Sequence, residues 1–155
     1  MSGLLDKKCV NAHYSAMAED DFSLCVLTNA RKAARSVSRY YDQMARQTGF
    51  TSGQFSVLVT VREHDGLTTA ELAERLSMER TTLVRNVALL EKKGLLLTRP
   101  AKDARGKEFS ITGQGNAMVE SALPLWREAQ GHVRDLLGEE DFLTAVRLLK
   151  RLSQI

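Results

Sequence analysis

The sequence predicts a mainly α-helical fold with one small β-hairpin. Apolar residues recur at steps of three and four over most of the chain, which is the spacing of one helix face. Two short apolar segments, 95–99 and 108–112, flank the charged and turn-rich residues 100–107, as expected for two strands and their connection. With 155 residues, of which 43% are hydrophobic, the chain is long enough to form one domain without disulfides or a metal.

The first predicted helix carries a long apolar stripe near the N-terminus. It begins at Asp20 or Asp21, acids suited to capping a helix, and ends at Gly49. The stripe covers about six to seven helical turns. This is more than a small domain needs for its own core, so we expect part of the helix to face a second subunit.

Three shorter helices are predicted between residues 51 and 93. In the first two, Thr51 and Thr68 each stand three residues before a side chain, Gln54 or Glu71, that can complete a capping box. The third helix is predicted over about residues 79–93. Its apolar stripe consists of Leu83, Val84, Val87 and Leu90.

Two further helices are predicted after the hairpin. The first begins at Thr112 and contains Pro124, which we expect to kink the helix or open it locally because proline lacks a backbone donor. Gly138 ends this helix. The last helix begins with three acids, 139–141, which favour the positive end of a helix dipole.

Positive charge is concentrated in the middle of the chain. Lys and Arg number 22 against 19 Asp and Glu, a net charge of only +3. Residues 75–107 contain nine basic and three acidic residues, a net +6, whereas the remainder carries a net −3. A basic segment in an otherwise acidic protein indicates a polyanionic partner, with nucleic acid the first candidate.

The order helix, short helix, helix and basic hairpin is that of a winged helix-turn-helix. The helix over 79–93 then packs one side inward and offers the other to a DNA major groove about 12 Å wide. Arginine can donate two hydrogen bonds to guanine, asparagine can pair with adenine, and threonine offers a hydroxyl and a methyl group. The predicted outward residues are Arg80, Thr81, Thr82, Arg85, Asn86 and Leu89, with Lys92 and Lys93 at the basic end.

Several segments are specific enough to indicate a family. These are LAERL at 72–76, TTLVRNV at 81–87, LEKKGL at 90–95, and DAR at 103–105 followed by ITGQG at 111–115. Together they resemble the multiple-antibiotic-resistance regulator (MarR) family of bacterial transcription factors, over nearly the whole chain from Asp21 to Leu152.

The resemblance implies a homodimer that binds double-stranded DNA at a near-palindromic operator. It implies that Arg105 enters the minor groove, held by Asp103, and we expect Lys92, Lys93, Lys102 and Lys107 to attract phosphates. Members of the family mostly repress genes until a small, often phenolic or aromatic, ligand binds. The expected domains are an N-terminal arm and dimerisation helix (1–48), a winged helix-turn-helix DNA-binding domain (49–112) and C-terminal dimerisation helices (113–155).

Aromatic residues near the two dimerisation segments are candidates to line a ligand cavity. They are Tyr40, Tyr41, Phe55 and Trp126, with Arg39 as a partner for an anion. The alternative is that aromatic residues at helical spacing belong to the core.

The two cysteines raise the alternative of a thiol-based redox regulator of the same fold. Cys25 lies beside Val26 on an apolar helix and is most simply a small core residue with nothing basic beside it to lower its thiol pKa. Cys9 follows two lysines in a segment without periodicity, so it is the better candidate for a reactive thiol.

Other classes of function have little support. His13, His64 and His132 are scattered and predict no metal site. No phosphate loop, zinc-protease motif or catalytic triad can be drawn, so we expect neither an enzyme nor a cofactor. No segment is apolar and long enough to span a membrane or resembles a secretory signal, so we expect a cytoplasmic protein. The remaining alternative is a winged-helix protein-interaction module that does not bind DNA.

Overall fold

The computed structural model describes residues 21–101 and 106–155. The chain divides into two compact units, 1–37 and 38–155. The elements follow in the order: a 3₁₀ turn (Phe22–Leu24), α1 (Val26–Ala45), a 3₁₀ turn (Arg46–Thr48), α2 (Ser52–Glu63), β1 (Leu67–Thr68), α3 (Thr69–Arg75), α4 (Arg80–Lys92), β2 (Leu96–Pro100), β3 (Lys107–Ile111), α5 (Gly113–Leu137) and α6 (Glu139–Leu152). The mainly helical winged helix-turn-helix fold is thereby confirmed.

The first helix begins later than predicted. Asp21 does act as a cap, but its carboxylate accepts the backbone N–H of Ser23 and closes a 3₁₀ turn rather than an α-helix. Cys25 then adopts an extended conformation, with ψ of 112°, so α1 begins at Val26. The predicted end is confirmed, since Gly49 stands in the left-handed conformation after the 3₁₀ turn.

Both capping boxes are confirmed. The Gln54 backbone N–H donates to Thr51 Oγ1 at 3.2 Å, and the Thr51 N–H donates to Gln54 Oε1 at 3.3 Å. At α3 the Thr68 N–H donates to Glu71 Oε2 at 2.8 Å, while the Glu71 N–H donates to Thr68 Oγ1. These reciprocal bonds fix where each helix begins, because two otherwise unpaired donors are satisfied at each start.

The hairpin belongs to a larger sheet than predicted. Strands β2 and β3 pair antiparallel, with Thr98 opposite Phe109, and the described sheet has the order β1-β3-β2. The added strand, Leu67–Thr68, pairs with Phe109 and Glu108 of β3. The prediction of two strands was incomplete because a strand of two residues has no alternation by which a sequence can show it.

The core of the second unit lies between α2, α4, the sheet and the first half of α5. Its fully buried side chains include Val57, Leu58, Val61, Leu72, Leu83, Leu90, Leu95, Leu96 and Val119. The prediction that Val84 belongs to the inward stripe of α4 was wrong, because Val84 is 52% exposed. A helix turns about 100° per residue, so Leu83 and Val84 cannot both face a narrow core.

The C-terminal helices differ from each other in burial. Helix α5 begins after Thr112, whose hydroxyl accepts the Gly115 N–H at 2.8 Å, and runs unbroken past Pro124. The local opening at Pro124 is therefore not found, whereas a kink, the other predicted outcome, stays a prediction. None of the residues of α6 is buried. No helix in the described part of the chain is long and apolar enough to cross a bilayer.

Candidate nucleic-acid interface and effector cavity

Helix α4 presents a basic and hydroxyl-bearing face to solvent. Arg80, Thr81, Thr82 and Arg85 are all exposed, as the sequence predicted. The N-cap residue, Glu79, makes no side-chain capping hydrogen bond, and the first turn of α4 contains no acid. The positive end of the α4 dipole therefore has no acid within its first turn to compensate it, an arrangement that favours an anionic partner such as a phosphate.

Two apolar side chains accompany this face. Val84 and Leu89 are 52% and 42% exposed, respectively. Leu89 was predicted to face outward, whereas Val84 was missed. An exposed aliphatic side chain beside arginines is suited to contact a thymine methyl group in the major groove.

Asn86 differs from the rest of the predicted outward face. It is only partly exposed, and its Nδ2 donates to the Met78 sulfur at 3.6 Å. The sequence predicted Asn86 on the outward face; in the structure it is half-exposed, because this position on α4 lies beside the turn that precedes the helix and beside Gly53 of α2. The Asn86 side chain thereby connects α4 to the preceding turn, which contains Met78.

The two lysines at the end of α4 have different surroundings. Lys92 is exposed, as predicted. Lys93 Nζ donates to the Gly49 carbonyl at 2.8 Å and lies 4.8 Å from the centre of the Phe50 ring. This cation–π contact and hydrogen bond hold the chain between α1 and α2 against α4. Lys93 is exposed like Lys92, but its ammonium group already contacts the Gly49 carbonyl and the Phe50 ring.

The wing is described up to Ala101 and again from Gly106. Its ladder continues beyond the strands, since the Ala101 N–H donates to the Gly106 carbonyl at 2.9 Å. Lys107 is exposed at the start of β3. Lys102, Asp103 and Arg105 lie outside the described residues. Arg99, which no sequence signal singled out, donates to Ser110 Oγ at 2.6 Å across the strands.

A cavity of about 140 Å³ lies between the C-terminal part of α1, the start of α2 and the middle of α5. Its walls include Tyr41, Phe55, Trp126 and Ala129. Of the predicted ligand residues, Arg39 and Tyr40 do not line it. Arg39 is exposed. The Tyr40 ring instead packs against the His132 ring, with the two ring centroids 4.9 Å apart.

The cavity presents one hydroxyl whose acidity is weakened. Burial raises the pKa of Tyr41, and the neighbouring Tyr40 adds to this effect. The phenol is therefore neutral at physiological pH and available as a hydrogen-bond donor.

Cys25 occupies the N-cap position of α1 and not the helix interior. The Thr28 hydroxyl and, secondly, the Thr28 backbone N–H donate to the sulfur, and both lower the pKa of the Cys25 thiol. The expectation of an unperturbed core cysteine was wrong, because the sequence pattern placed the helix start before this residue. Cys9 lies outside the described residues. In the described part of the chain, no cluster of side chains suited to bind a metal occurs.

Comparison with known proteins agrees with this geometry. A sequence profile of the MarR family matches residues 48–106. An uncharacterized HTH-type transcriptional regulator of Bacillus cereus is 33% identical over 114 residues, covering 73% of this chain and 76% of that protein. The HTH-type transcriptional repressor MdtR of Bacillus subtilis is 29% identical, covering 73% of each chain.

A solved structure is similar over most of both chains. The Mycobacterium tuberculosis transcriptional regulator MosR, in complex with DNA, is 36% identical with a TM-score of 0.75, covering 84% of this chain and 94% of MosR. Fold, exposed face and relatives together define a winged helix-turn-helix transcriptional regulator, not an enzyme. The chain belongs to the MarR family.

Proposed function

We propose that the protein binds a near-palindromic operator as a homodimer and represses transcription until a small ligand releases it. The observation that carries the proposal is the exposed face of α4, where Arg80 and Arg85 stand among hydroxyl and aliphatic side chains. Positive charge attracts the duplex in any sequence, whereas arginine forks and methyl groups distinguish base pairs. The name of the relative MdtR supports the repressor role.

Most of the predicted DNA-contact residues keep that role in the proposal, whereas Lys93 contacts Gly49 and Phe50 within the protein. Arg80, Thr81, Thr82 and Arg85 contact bases or phosphates in the major groove, whereas Asn86 holds α4 on its turn through Met78. Arg105 enters the minor groove with Asp103 holding it. Phosphate attraction comes from Lys92, Lys102 and Lys107.

The dimer is supported by apolar surface that each unit leaves exposed. In the first unit, Phe22 and Leu27 are exposed. In the second, α6 exposes Leu143 and Leu149 and buries none of its residues. Apolar surface of this extent is typical of a protein interface. A twofold dimer presents two α4 helices to successive major grooves, about 34 Å apart.

A ligand in the cavity would contact the start of α2 in the winged domain, the C-terminal part of α1 and the middle of α5 at once. Such a ligand favours one relative position of these helices. It releases DNA if it binds the DNA-free arrangement more tightly than the DNA-bound one.

The direct test is an anisotropy titration with the DNA beside the protein's own gene. We expect submicromolar binding that weakens with salt and exceeds binding to a scrambled duplex. Absence of binding at low salt would contradict the proposal and favour a protein-interaction module.

Lys92→Ala and Lys93→Ala should change different properties of the protein: DNA binding in the first variant and folding stability in the second. Lys92→Ala should weaken binding to all duplexes and reduce the slope of log K against log salt by about one unit for each phosphate that a subunit no longer neutralises. Lys93→Ala should leave that slope unchanged and lower the free energy of unfolding by about 1 kcal/mol, since it removes a hydrogen bond and a cation–π contact. Salt-dependent titrations and urea unfolding of both variants measure this. A reduced slope for Lys93→Ala would place that lysine on DNA.

The hydrogen bonds to Cys25 favour a second candidate, a thiol-switched regulator. A sulfur at a helix N-terminus that accepts two hydrogen bonds is stabilised as the thiolate, which is the form that reacts with oxidants. In this mechanism mild peroxide releases DNA, and Cys25→Ser abolishes the response.

The thiol itself can be tested without DNA. In a Cys9→Ser background, the alkylation rate of Cys25 by iodoacetamide should rise at lower pH than that of an ordinary thiol. Thr28→Val removes the largest cause of the lowered pKa and keeps the side-chain shape, so the midpoint should move to higher pH. An unchanged midpoint in Thr28→Val would show that the hydroxyl does not stabilise the thiolate.

A further inference from the structure

We infer that Lys93 is a positioning residue that couples the cavity between α1, α2 and α5 to the DNA-binding helix α4. The inference rests on the proposed function, because it names the side chain through which occupancy of that cavity changes the position of α4. Three observations lead to it. The cavity wall includes the junction between α1 and α2 (residues 46–52), hydrogen bonds fix this junction, and Lys93 attaches it to the end of α4.

The α1–α2 junction forms part of the cavity wall. Thr48 and Ser52 both line the cavity. Thr48 directly precedes Gly49, and Phe50 follows Gly49 in the same short segment. A group that fills the cavity therefore presses on residues that adjoin Gly49 and Phe50 in the chain.

The junction is held at both of its ends. Thr48 Oγ1 donates to the Ala45 carbonyl at 2.6 Å, which ties the junction to the last turn of α1. The Ser52 N–H donates to the Asp42 carboxylate at 2.6 Å, which ties the start of α2 to the same helix. The capping box at Thr51 fixes where α2 begins. Because both ends are held by hydrogen bonds, a displacement of the wall moves the junction as a unit.

Lys93 joins the middle of the junction to α4. Its Nζ donates to the Gly49 carbonyl at 2.8 Å and lies 4.8 Å from the centre of the Phe50 ring. Lys93 is the C-cap residue of α4, and Phe50 is buried in the core of the second unit. One ammonium group thus holds two consecutive residues of the junction at the C-terminal end of α4.

A displacement at this end of α4 reaches the DNA-binding face. The helix has 13 residues and is roughly 20 Å long at 1.5 Å per residue. A helix of this length moves as a rigid body, so a shift of its C-terminal end turns it about its buried side chains. Arg80 and Arg85 then change their direction. Hydrogen bonds weaken steeply when their geometry is lost, so a small rotation is enough to weaken base contacts.

A covalent probe on the cavity wall tests the coupling. Ala45 lines the cavity, so benzyl methanethiosulfonate attaches a benzyl group there in a Cys9→Ser, Cys25→Ser, Ala45→Cys protein. The cavity of about 140 Å³ suits such a ring, since apolar cavities of about 150 Å³ admit benzene. We expect this adduct to change operator affinity at least about fivefold, because coupled sites typically show about 5–150-fold effects. The smaller methyl adduct should have less effect, and dithiothreitol should reverse both.

Variants of Lys93 locate the coupling in the same triple-substituted protein. Lys93→Met keeps an apolar stem but removes the donor and the charge, so the benzyl adduct should then change operator affinity by less than about twofold. Lys93→Arg keeps both and should retain the full response. Lys92→Met should weaken DNA binding with and without the adduct and also retain the response. Each variant is compared with its own unlabelled form, so lower stability alone does not alter the ratio.

The outcome for the inference is separable from that for the proposed function. A benzyl response in Lys93→Met as large as with Lys93 present would overturn the inference and leave operator binding and release intact. If the adduct does not change DNA binding when Lys93 is present, ligand release is contradicted, and amide hydrogen exchange without DNA decides the inference. The last turn of α4 should respond to the benzyl adduct with Lys93 present and not in Lys93→Met. An unchanged last turn with Lys93 present would overturn the coupling.

Discussion

The Gly115→Ala variant is expected to lose about 3 kcal/mol of unfolding free energy, at the upper end of the cost of overpacking. A Cβ atom at Gly115 would overlap the Leu95 carbonyl oxygen and lie 2.7 Å from Ile111 Cγ1. The Leu95 carbonyl cannot move away freely, since it accepts the Thr112 N–H at 3.1 Å. Since small domains are stable by about 5–15 kcal/mol in total, urea unfolding should register the loss as a large fall in midpoint.

Gly113→Ala provides the matched control for this prediction. Gly113 belongs to the same helix, and a Cβ there meets nothing within 4 Å. Its effect should stay within about 0.5 kcal/mol. If both variants unfold at the same urea concentration as the parent protein, α5 does not closely approach the chain at Leu95.

The Arg85→Ala variant is expected to lose about 1–3 kcal/mol of operator affinity per half-site, with relaxed preference at one base pair. Arg85 is exposed on α4 and forms no ion pair among those seen in the described residues. Its guanidinium can donate to both O6 and N7 of a guanine. Anisotropy titrations with single-base-pair variants of the operator measure the loss and locate it.

The chemistry of this contact is tested by changing the DNA. Replacing the guanine with 7-deazaguanine removes the N7 acceptor and should weaken the parent protein but not Arg85→Ala. Arg127→Ala, an exposed arginine of α5, should bind as the parent does. Equal weakening of Arg85→Ala on operator and random DNA would assign Arg85 to a phosphate instead.

Local signals in the sequence predicted most helix boundaries correctly. The capping boxes at Thr51 and Thr68 involve residues three positions apart, so the sequence alone contains both partners. Strand β1 was missed because two residues show no period, and its pairing with Phe109 is a contact across 42 positions of the chain.

The sequence was less informative about the site for two reasons. Some side chains contact residues that are distant in the sequence, and others differ in their surroundings because they stand one position apart on a helix. Tyr40 and Tyr41 are adjacent, yet only Tyr41 lines the cavity, because one residue turns a helix by about 100°. Lys93 is exposed, as expected for the basic end of α4, but the sequence could not show that its side chain also contacts Gly49 and Phe50, which lie more than 40 residues away. Composition and periodicity carry no information about such pairs.

Guanine N7 methylation by dimethyl sulfate, with and without bound protein, tests the central claim most directly. The claim is that the cationic face of α4 enters the major groove twice, once from each subunit of a dimer. We expect two protected patches centred about 10 base pairs apart, both lost with Arg85→Ala. Reactive N7 atoms throughout the bound operator, or a single protected patch, would contradict it.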